Sequence, residues 1–207
     1  DTYIGGEGID TVKYTSATDA IVVNLAATTN QAKSVTANNA GIGVDQLSGI
    51  ENVIAGNYND SVTGDAQNNA ITGGAGNDTI NGGAGTDTAV YSGAKSNYTI
   101  TASSSGYIVQ DNRSGGEGTD VLTNIESLKF SDVIVSLVGG TLIGTAAANT
   151  LLGSAGNDII NGAGGVDVLD GKDGSDLYLM AAGDHTAAEI KDSGTAGVDE
   201  VRFTATT

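Results

Sequence analysis

Cysteine, proline and tryptophan are missing from this sequence, and histidine and methionine occur once each. Without cysteine there is no thiol nucleophile, and a chain free of cysteine fits a bacterial exported protein. One histidine cannot supply a His-Glu-x-x-His zinc helix, and no Gly-x-Ser-x-Gly elbow is present. The acidic residues that stand close enough together for glycoside chemistry belong to turns, and Lys172 and Arg113 are isolated. The expectation is that this chain is not an enzyme. Basic residues are scarce too: 8 Lys and Arg against 25 Asp and Glu leave a net charge of −17. With no cationic cluster to displace phosphate counterions, nucleic acid is excluded as a partner. No apolar run approaches the length of a membrane span, and no signal-peptide pattern stands ahead of the first repeat.

Aromatic residues make up only 4% of the chain, and together with the large charge this composition resembles that of disordered proteins. Periodicity decides otherwise. Gly73-Gly74-Ala75-Gly76-Asn77-Asp78-Thr79-Ile80-Asn81 runs without a gap into Gly82-Gly83-Ala84-Gly85-Thr86-Asp87-Thr88-Ala89-Val90. The unit is Gly-Gly-x-Gly-x-Asp-x-(apolar)-x. Counting back in nines from Asp78 gives Asn69 and Asp60. A second block sets Asn149, Asp158, Asp167 and Asp176 nine apart, with Leu151, Ile160, Leu169 and Tyr178 two residues after each. A short block holds Asp1 and Asp10, with Tyr3 and Val12 in the apolar slots. Glycines permit tight turns and bring backbone carbonyls close together. The aspartate adds a hard anionic oxygen, and the three-residue tail makes a short strand with one side chain inward. Carbonyl and carboxylate oxygens are the ligands Ca²⁺ prefers. The reading is conditional order: a chain disordered without the cation and folded with it.

These nonamers resemble the RTX (repeats-in-toxin) family of secreted bacterial proteins, and Gly49-Ile50-Glu51-Asn52-Val53-Ile54 is similar to the lead-in of the calcium-binding domain of serralysin-type proteases. The resemblance implies an all-β fold of parallel β-roll (β-helix or solenoid) segments in which two nonamers close one turn. Residues eighteen apart then lie above one another, pairing Asp60 with Asp78, Asn69 with Asp87, Asn149 with Asp167 and Asp158 with Asp176. It further implies a Ca²⁺ between each pair, about four or more ions in all. Carbonyls come from positions two and four of the earlier turn and one and three of the later turn. The clearest site uses Gly56, Tyr58 and Asp60 with Gly73, Ala75 and Asp78; its counterpart uses Ser154, Gly156 and Asp158 with Gly171, Asp173 and Asp176. The other two use Asp65, Gln67 and Asn69 with Gly82, Ala84 and Asp87, and Thr145, Ala147 and Asn149 with Gly162, Gly164 and Asp167; Asp10 belongs to the short block. The chain departs from the pattern where Asn69 and Asn149 replace carboxylates, which weakens those sites. Tyr58 and Gln67 stand where glycine is usual, and Ala55 replaces the first glycine of its nonamer.

Above the nonamers lies a larger repeat. Gly41-Ile42-Gly43-Val44-Asp45 to Val53 parallels Gly116-Glu117-Gly118-Thr119-Asp120 to Leu128, with a third copy at Gly197-Val198-Asp199-Glu200-Val201-Arg202-Phe203. The expected organisation is the end of a truncated β-roll (1–14), a β-rich spacer (15–53), an RTX β-roll (54–91), a second spacer (92–143), a second roll (144–180) and part of a third spacer (181–207). The chain begins at the sixth position of a nonamer, as a piece of a longer polypeptide does. Alternating or β-branched runs such as Ala20–Leu25, Tyr98–Thr101 and Tyr107–Gln110 read as strands, with Ser103-Ser104-Ser105-Gly106 as a hairpin turn. The spacers are expected to form β layers of their own that cap the ends of each roll. Ala181–Ile190 is the single weak helix candidate, Glu51 and Glu126 read as exposed strand residues, and His185 as a surface histidine. Asp45, Asp120 and Asp199 have no partner eighteen residues away and are read either as turn caps or as ligands.

What the resemblance implies for function is a calcium-dependent folding and structural module of a large secreted or cell-surface bacterial protein of adhesin or surface-layer type, exported by type I secretion. Two alternatives stand beside it: an accessory region of a secreted protease, lipase or polysaccharide epimerase, and an extracellular carbohydrate-binding module. Calcium is the expected partner, with neighbouring copies of the chain or a surface polysaccharide as further ones.

Overall fold

The computed structural model describes residues 1–36, 40–181 and 190–204. The weak helical stretch falls mostly, and His185 wholly, outside them; Ala181 ends a strand. The chain divides into two units, Asp1–Ser92 with Ser96–Ile125, and Gly93–Lys95 with Glu126–Thr207.

Strands of the first unit are β1 (Thr2–Ile4), β2 (Thr11–Lys13), β3 (Ile21–Asn24), β4 (Ala32–Ser34), β5 (Val44–Ser48), β6 (Asn52–Ile54), β7 (Ser61–Thr63), β8 (Ala70–Thr72), β9 (Thr79–Asn81), β10 (Thr88–Val90), β11 (Tyr98–Ser103), β12 (Gly106–Asp111) and β13 (Thr119–Thr123). In β7, β8, β9 and β10 the nonamer tail is a three-residue strand with only its middle side chain buried. Successive nonamers alternate between two facing sheets. Thus β6, β8 and β10 stack in parallel on one side and β7 and β9 on the other, with Val62 opposite Ile80 and Val53 opposite Ile71. Val53, Val62, Ile71, Ile80 and Ala89 are at most 1% exposed and fill the space between the sheets. Each of these valine and isoleucine side chains contributes roughly 1.5–3 kcal/mol by leaving water. Outward neighbours such as Thr79 stay exposed, so a one-residue slip would turn the core to solvent.

The spacers do not form layers of their own. β3 adds in parallel to β7 and β13 in parallel to β9, giving one sheet in the order β1-β5-β4-β3-β7-β9-β13-β12-β11. A roll three residues wide leaves unpaired backbone at both edges, and in-register pairing satisfies it better than a separate layer would. The expected hairpin is present: Ser103 pairs with Gly106 across Ser104-Ser105. Tyr3, placed in an inward slot by its spacing, is 44% exposed because β1 is the edge strand of its sheet.

In the second unit the strands are β14 (Ser127–Lys129), β15 (Ile134–Ser136), β16 (Thr141–Ile143), β17 (Thr150–Leu152), β18 (Ile159–Asn161), β19 (Val168–Asp170), β20 (Leu177–Ala181) and β21 (Glu200–Thr204). β15, β17 and β19 stack in parallel, as do β16, β18, β20 and β21. Leu142, Leu151, Ile160, Leu169, Tyr178 and Met180 form the core. Ile159 and Val168 flank it at 39% exposure each.

Candidate calcium sites

The turns that join these strands place one acidic or amide side chain per nonamer on a ladder. The Asp60 amide donates to Asp78 Oδ1 at 2.7 Å, and the Asn69 amide to Asp87 Oδ1 at 2.8 Å. In the second unit the Asn149 amide donates to Asp167 Oδ1 and the Asp158 amide to Asp176 Oδ1, each at 2.8 Å. All four pairs expected from the eighteen-residue spacing are therefore brought together. Each accepting aspartate also turns its other oxygen back over the first glycine of its own turn. A methyl group at Gly73 would stand 2.2 Å from Asp78 Oδ2, and one at Gly162 the same distance from Asp167 Oδ2. That fold-back is why position one is glycine.

Carbonyls converge on the same strip. A methyl at Gly74 would lie 1.9 Å from the Gly56 oxygen, and those at Gly76, Gly83 and Gly85 would lie 2.4, 2.2 and 2.6 Å from the oxygens of Tyr58, Asp65 and Gln67. Ala147 and Gly156 oxygens approach Gly165 and Gly174 similarly, at 2.9 and 2.5 Å. Carbonyls expected at positions two and four of the earlier turn thus face the next turn. Among the described residues no group of three acidic or histidine side chains is placed to hold a metal, so backbone carbonyls are the other oxygens at hand, beside two carboxylates at the Asp60–Asp78 and Asp158–Asp176 pairs and one at each pair that contains an asparagine.

Burial makes the carboxylates costly. Asp60, Asp78, Asp87, Asp158, Asp167 and Asp176 are each at most 2% exposed. Backbone amides offset part of this: Asp60 accepts from Ile21 and Gly56, Asp158 from Gly140 and Ser154. Asp78 Oδ2 and Asp176 Oδ2 are buried without a hydrogen-bond partner, as is Asp10 Oδ2. Burial pushes the Asp78 carboxyl up to about 7, with the charges of Asp120, Asp60 and Glu117 adding to the rise. Asp120 rises to about 6 by burial, partly countered by the Asp78 amide and the Tyr91 hydroxyl. Asp60 and Asp176 rise as well, again chiefly through burial. Orphaned anionic oxygens facing crowded carbonyls fit a hard cation that takes many oxygen ligands. Calcium, when bound, supplies the positive charge that lets such carboxylates ionise in a buried ladder.

Below the ordinary aspartate value of ~3.9 the stabilising effect of protonating Asp78 in the fold is complete, and it is lost as pH rises through about 7. In chelator, β-structure is therefore expected to increase as pH falls from 7.5 to 5.5, and the calcium midpoint at pH 6 to exceed that at pH 8. Far-UV circular dichroism across these pH values checks both, with Asp78→Asn expected to flatten the dependence.

Sequence reasoning missed two features. The residue before each ladder position is often asparagine, and its side chain builds a second ladder: Asn59 Oδ1 accepts from the Asn77 amide, Asn68 from Thr86 and Asn157 from Ser175, at 2.8–2.9 Å. The recurrence of Asn at that slot was the available signal. Glu51, expected exposed, is half-buried because its carboxylate accepts the Asp10 amide at 2.9 Å, taking the ladder place an aspartate holds elsewhere. Glu126 is likewise half-buried.

The model of the RTX calcium-binding nonapeptide repeat (4 copies) matches residues 54–89 and 143–178. No curated protein matches the chain. Among solved structures, the chain is similar to the extracellular lipase LipA from Serratia marcescens, at 18% identity and a TM-score of 0.23. That match covers 63% of this chain and 29% of the lipase chain, so this chain spans less than a third of its length. Both matched stretches coincide with the carboxylate ladders, and the chain carries two blocks of RTX calcium-binding nonapeptide repeats.

Proposed function

We propose that this chain is a calcium-dependent folding and structural module of a large secreted or cell-surface bacterial protein, of adhesin or surface-layer type, with no catalytic role of its own. The observation that carries the reading is the pairing of buried carboxylates eighteen residues apart, with Asp78 and Asp176 each holding a partnerless oxygen. Two such charges ~4 Å apart repel by about 1 kcal/mol in water and about 4 kcal/mol at an effective dielectric near 20. With a site Kd of roughly 0.1 mM, ~1 mM Ca²⁺ adds about 1.4 kcal/mol per site, and cytosolic ~0.1 µM adds almost nothing. Summed over four or more sites, the difference is comparable to the ~5–15 kcal/mol that separates a folded domain from its unfolded chain. Such a chain stays unfolded inside the cell and folds outside it, which supports an extracellular location. The spacer strands that continue the roll sheets support a load-bearing array rather than isolated ion sites.

Single-molecule force spectroscopy tests the structural role. In millimolar Ca²⁺ the chain should show discrete unfolding events, and chelator should abolish them. Featureless extension in both conditions would count against a load-bearing module and favour the accessory-region alternative. Mg²⁺ should not restore the events, because carbonyl-rich sites with many ligands suit the larger ion.

A further inference from the structure

Residues 115–123 lie outside both matched stretches, yet Gly115-Gly116-Glu117-Gly118-Thr119-Asp120-Val121-Leu122-Thr123 spells a complete nonamer. The fold stacks it on residues 73–81 as the next turn of the roll. Val121, Leu122 and Thr123 pair with Thr79, Ile80 and Asn81, the same three residues that Ser61, Val62 and Thr63 pair with on the other side. The Asp78 amide donates to Asp120 Oδ1 at 2.9 Å across a sequence gap of 42 residues, repeating the bond that Asp60 makes to Asp78 across 18. The asparagine ladder continues as well, from Asn77 Oδ1 to the Thr119 amide at 2.8 Å. The Gly76 amide donates to the Glu117 carbonyl at 3.1 Å, and a methyl at Gly118 would stand 1.9 Å from the Gly76 oxygen. The loop is held there by its own contacts: Asp111 accepts from the Glu117 amide and from Arg113, and the Glu117 carboxylate accepts from Tyr98.

The two ends of the roll differ. At its start, the spacer offers an amide donor: Ile21 satisfies Asp60 Oδ1 while Gly56, in the same turn as Asp60, satisfies Oδ2, so both oxygens of that carboxylate are engaged. At its end, the spacer offers a second carboxylate instead, and Asp78 Oδ2 is buried with no partner in a residue 1% exposed. The second unit repeats the arrangement independently. Asp158 has both oxygens engaged by amides. Asp176 Oδ2 is buried and partnerless, and the Asp176 amide donates to Asp199 Oδ1 at 3.0 Å across 23 residues.

We infer that the spacer nonamer 115–123 completes a further calcium site with residues 73–81, across an insertion in the repeat, with Asp78 and Asp120 as its carboxylates and the backbone carbonyls of Gly76 and Glu117 among its other oxygens. This rests on the calcium reading above and extends it to a turn outside the family match. The roll therefore closes on a carboxylate-bearing turn supplied from far along the chain, and the ion ties the spacer to the repeats.

Isothermal titration of the full chain with CaCl₂ tests it, comparing wild type with Asp120→Asn. The asparagine keeps the oxygen that accepts the Asp78 amide, so a merely structural role leaves the ion count unchanged. The expected result is loss, or weakening by about tenfold or more, of one Ca²⁺ equivalent. An unchanged count and affinity in Asp120→Asn, with normal binding by wild type, overturns this inference and leaves the calcium reading standing; no binding by wild type overturns both. If the variant does not fold, wild-type crystals grown in Tb³⁺ decide the matter. An anomalous peak between Asp78 and Asp120 is expected, and a peak between Asp60 and Asp78 with none there contradicts the site.

Discussion

Asp78→Ala is expected to raise the calcium concentration at half-folding by about tenfold or more, whereas Asn149→Ala should shift it by less than about threefold. Asp78 is buried, its Oδ1 holds the Asp60 amide and its Oδ2 is free for an ion. Losing a charged ligand from a desolvated site costs about 1.5–3 kcal/mol, or one to two decades in affinity. Asn149 offers only a dipole, and its side-chain oxygen is already taken by the Thr145 amide at 2.5 Å. Its removal lowers stability without removing a charge from the ion. Asn69 behaves in the same way, its amide nitrogen being committed to the Glu51 carbonyl at 2.9 Å. Calcium titrations followed by circular dichroism compare the variants. Equal midpoints for the Asp and Asn variants would count against the ladder as an ion-binding device.

Gly74→Ala should be more damaging than its small size implies, and Gly6→Ala is the control that shows why. Both glycines have left-handed backbone, at φ +101° and +108°. An alanine at either costs of the order of 1–2 kcal/mol from the backbone alone. At Gly6 the added methyl meets nothing within 4 Å; at Gly74 it falls 1.9 Å from the Gly56 oxygen. Relief of that overlap moves either the turn or the carbonyl, and the carbonyl is one expected to face the ion. The prediction is a further loss of at least ~2 kcal/mol at saturating calcium, together with a raised calcium midpoint for Gly74→Ala alone. Similar chemical denaturation curves for the two variants would show that close approach of the turns is not what position two selects for.

Much of this was legible because each nonamer position has one physical task that the residue type discloses. Val62, Ile71, Ile80, Leu151, Ile160 and Leu169 occupy the single apolar slot and are all at most 1% exposed. The ladder partners followed from a fixed stride, since two nonamers close one turn. What escaped was everything with a variable stride. Asp120 and Asp199 had no counterpart eighteen residues away, and only pairing of β13 with β9 and β21 with β20 puts them on the ladder. Strand-like runs in the spacers were recognisable, but which edge they join is a long-range choice. Ile21–Asn24 carries nothing local that names Ser61–Thr63 as its partner. Glu51 misled for a similar reason: an exposed strand glutamate and one that reaches the Asp10 amide look alike until strands β2 and β6 are set side by side.

The central claim is that calcium, and not the apolar core alone, decides whether the repeats fold. Far-UV circular dichroism of the chain at pH 7.5, first in excess EDTA and then in millimolar Ca²⁺, measures this most directly. The account predicts a largely unstructured spectrum in EDTA that becomes β-rich on adding calcium and reverts on chelation. A β-rich spectrum in EDTA that calcium leaves unchanged would contradict it.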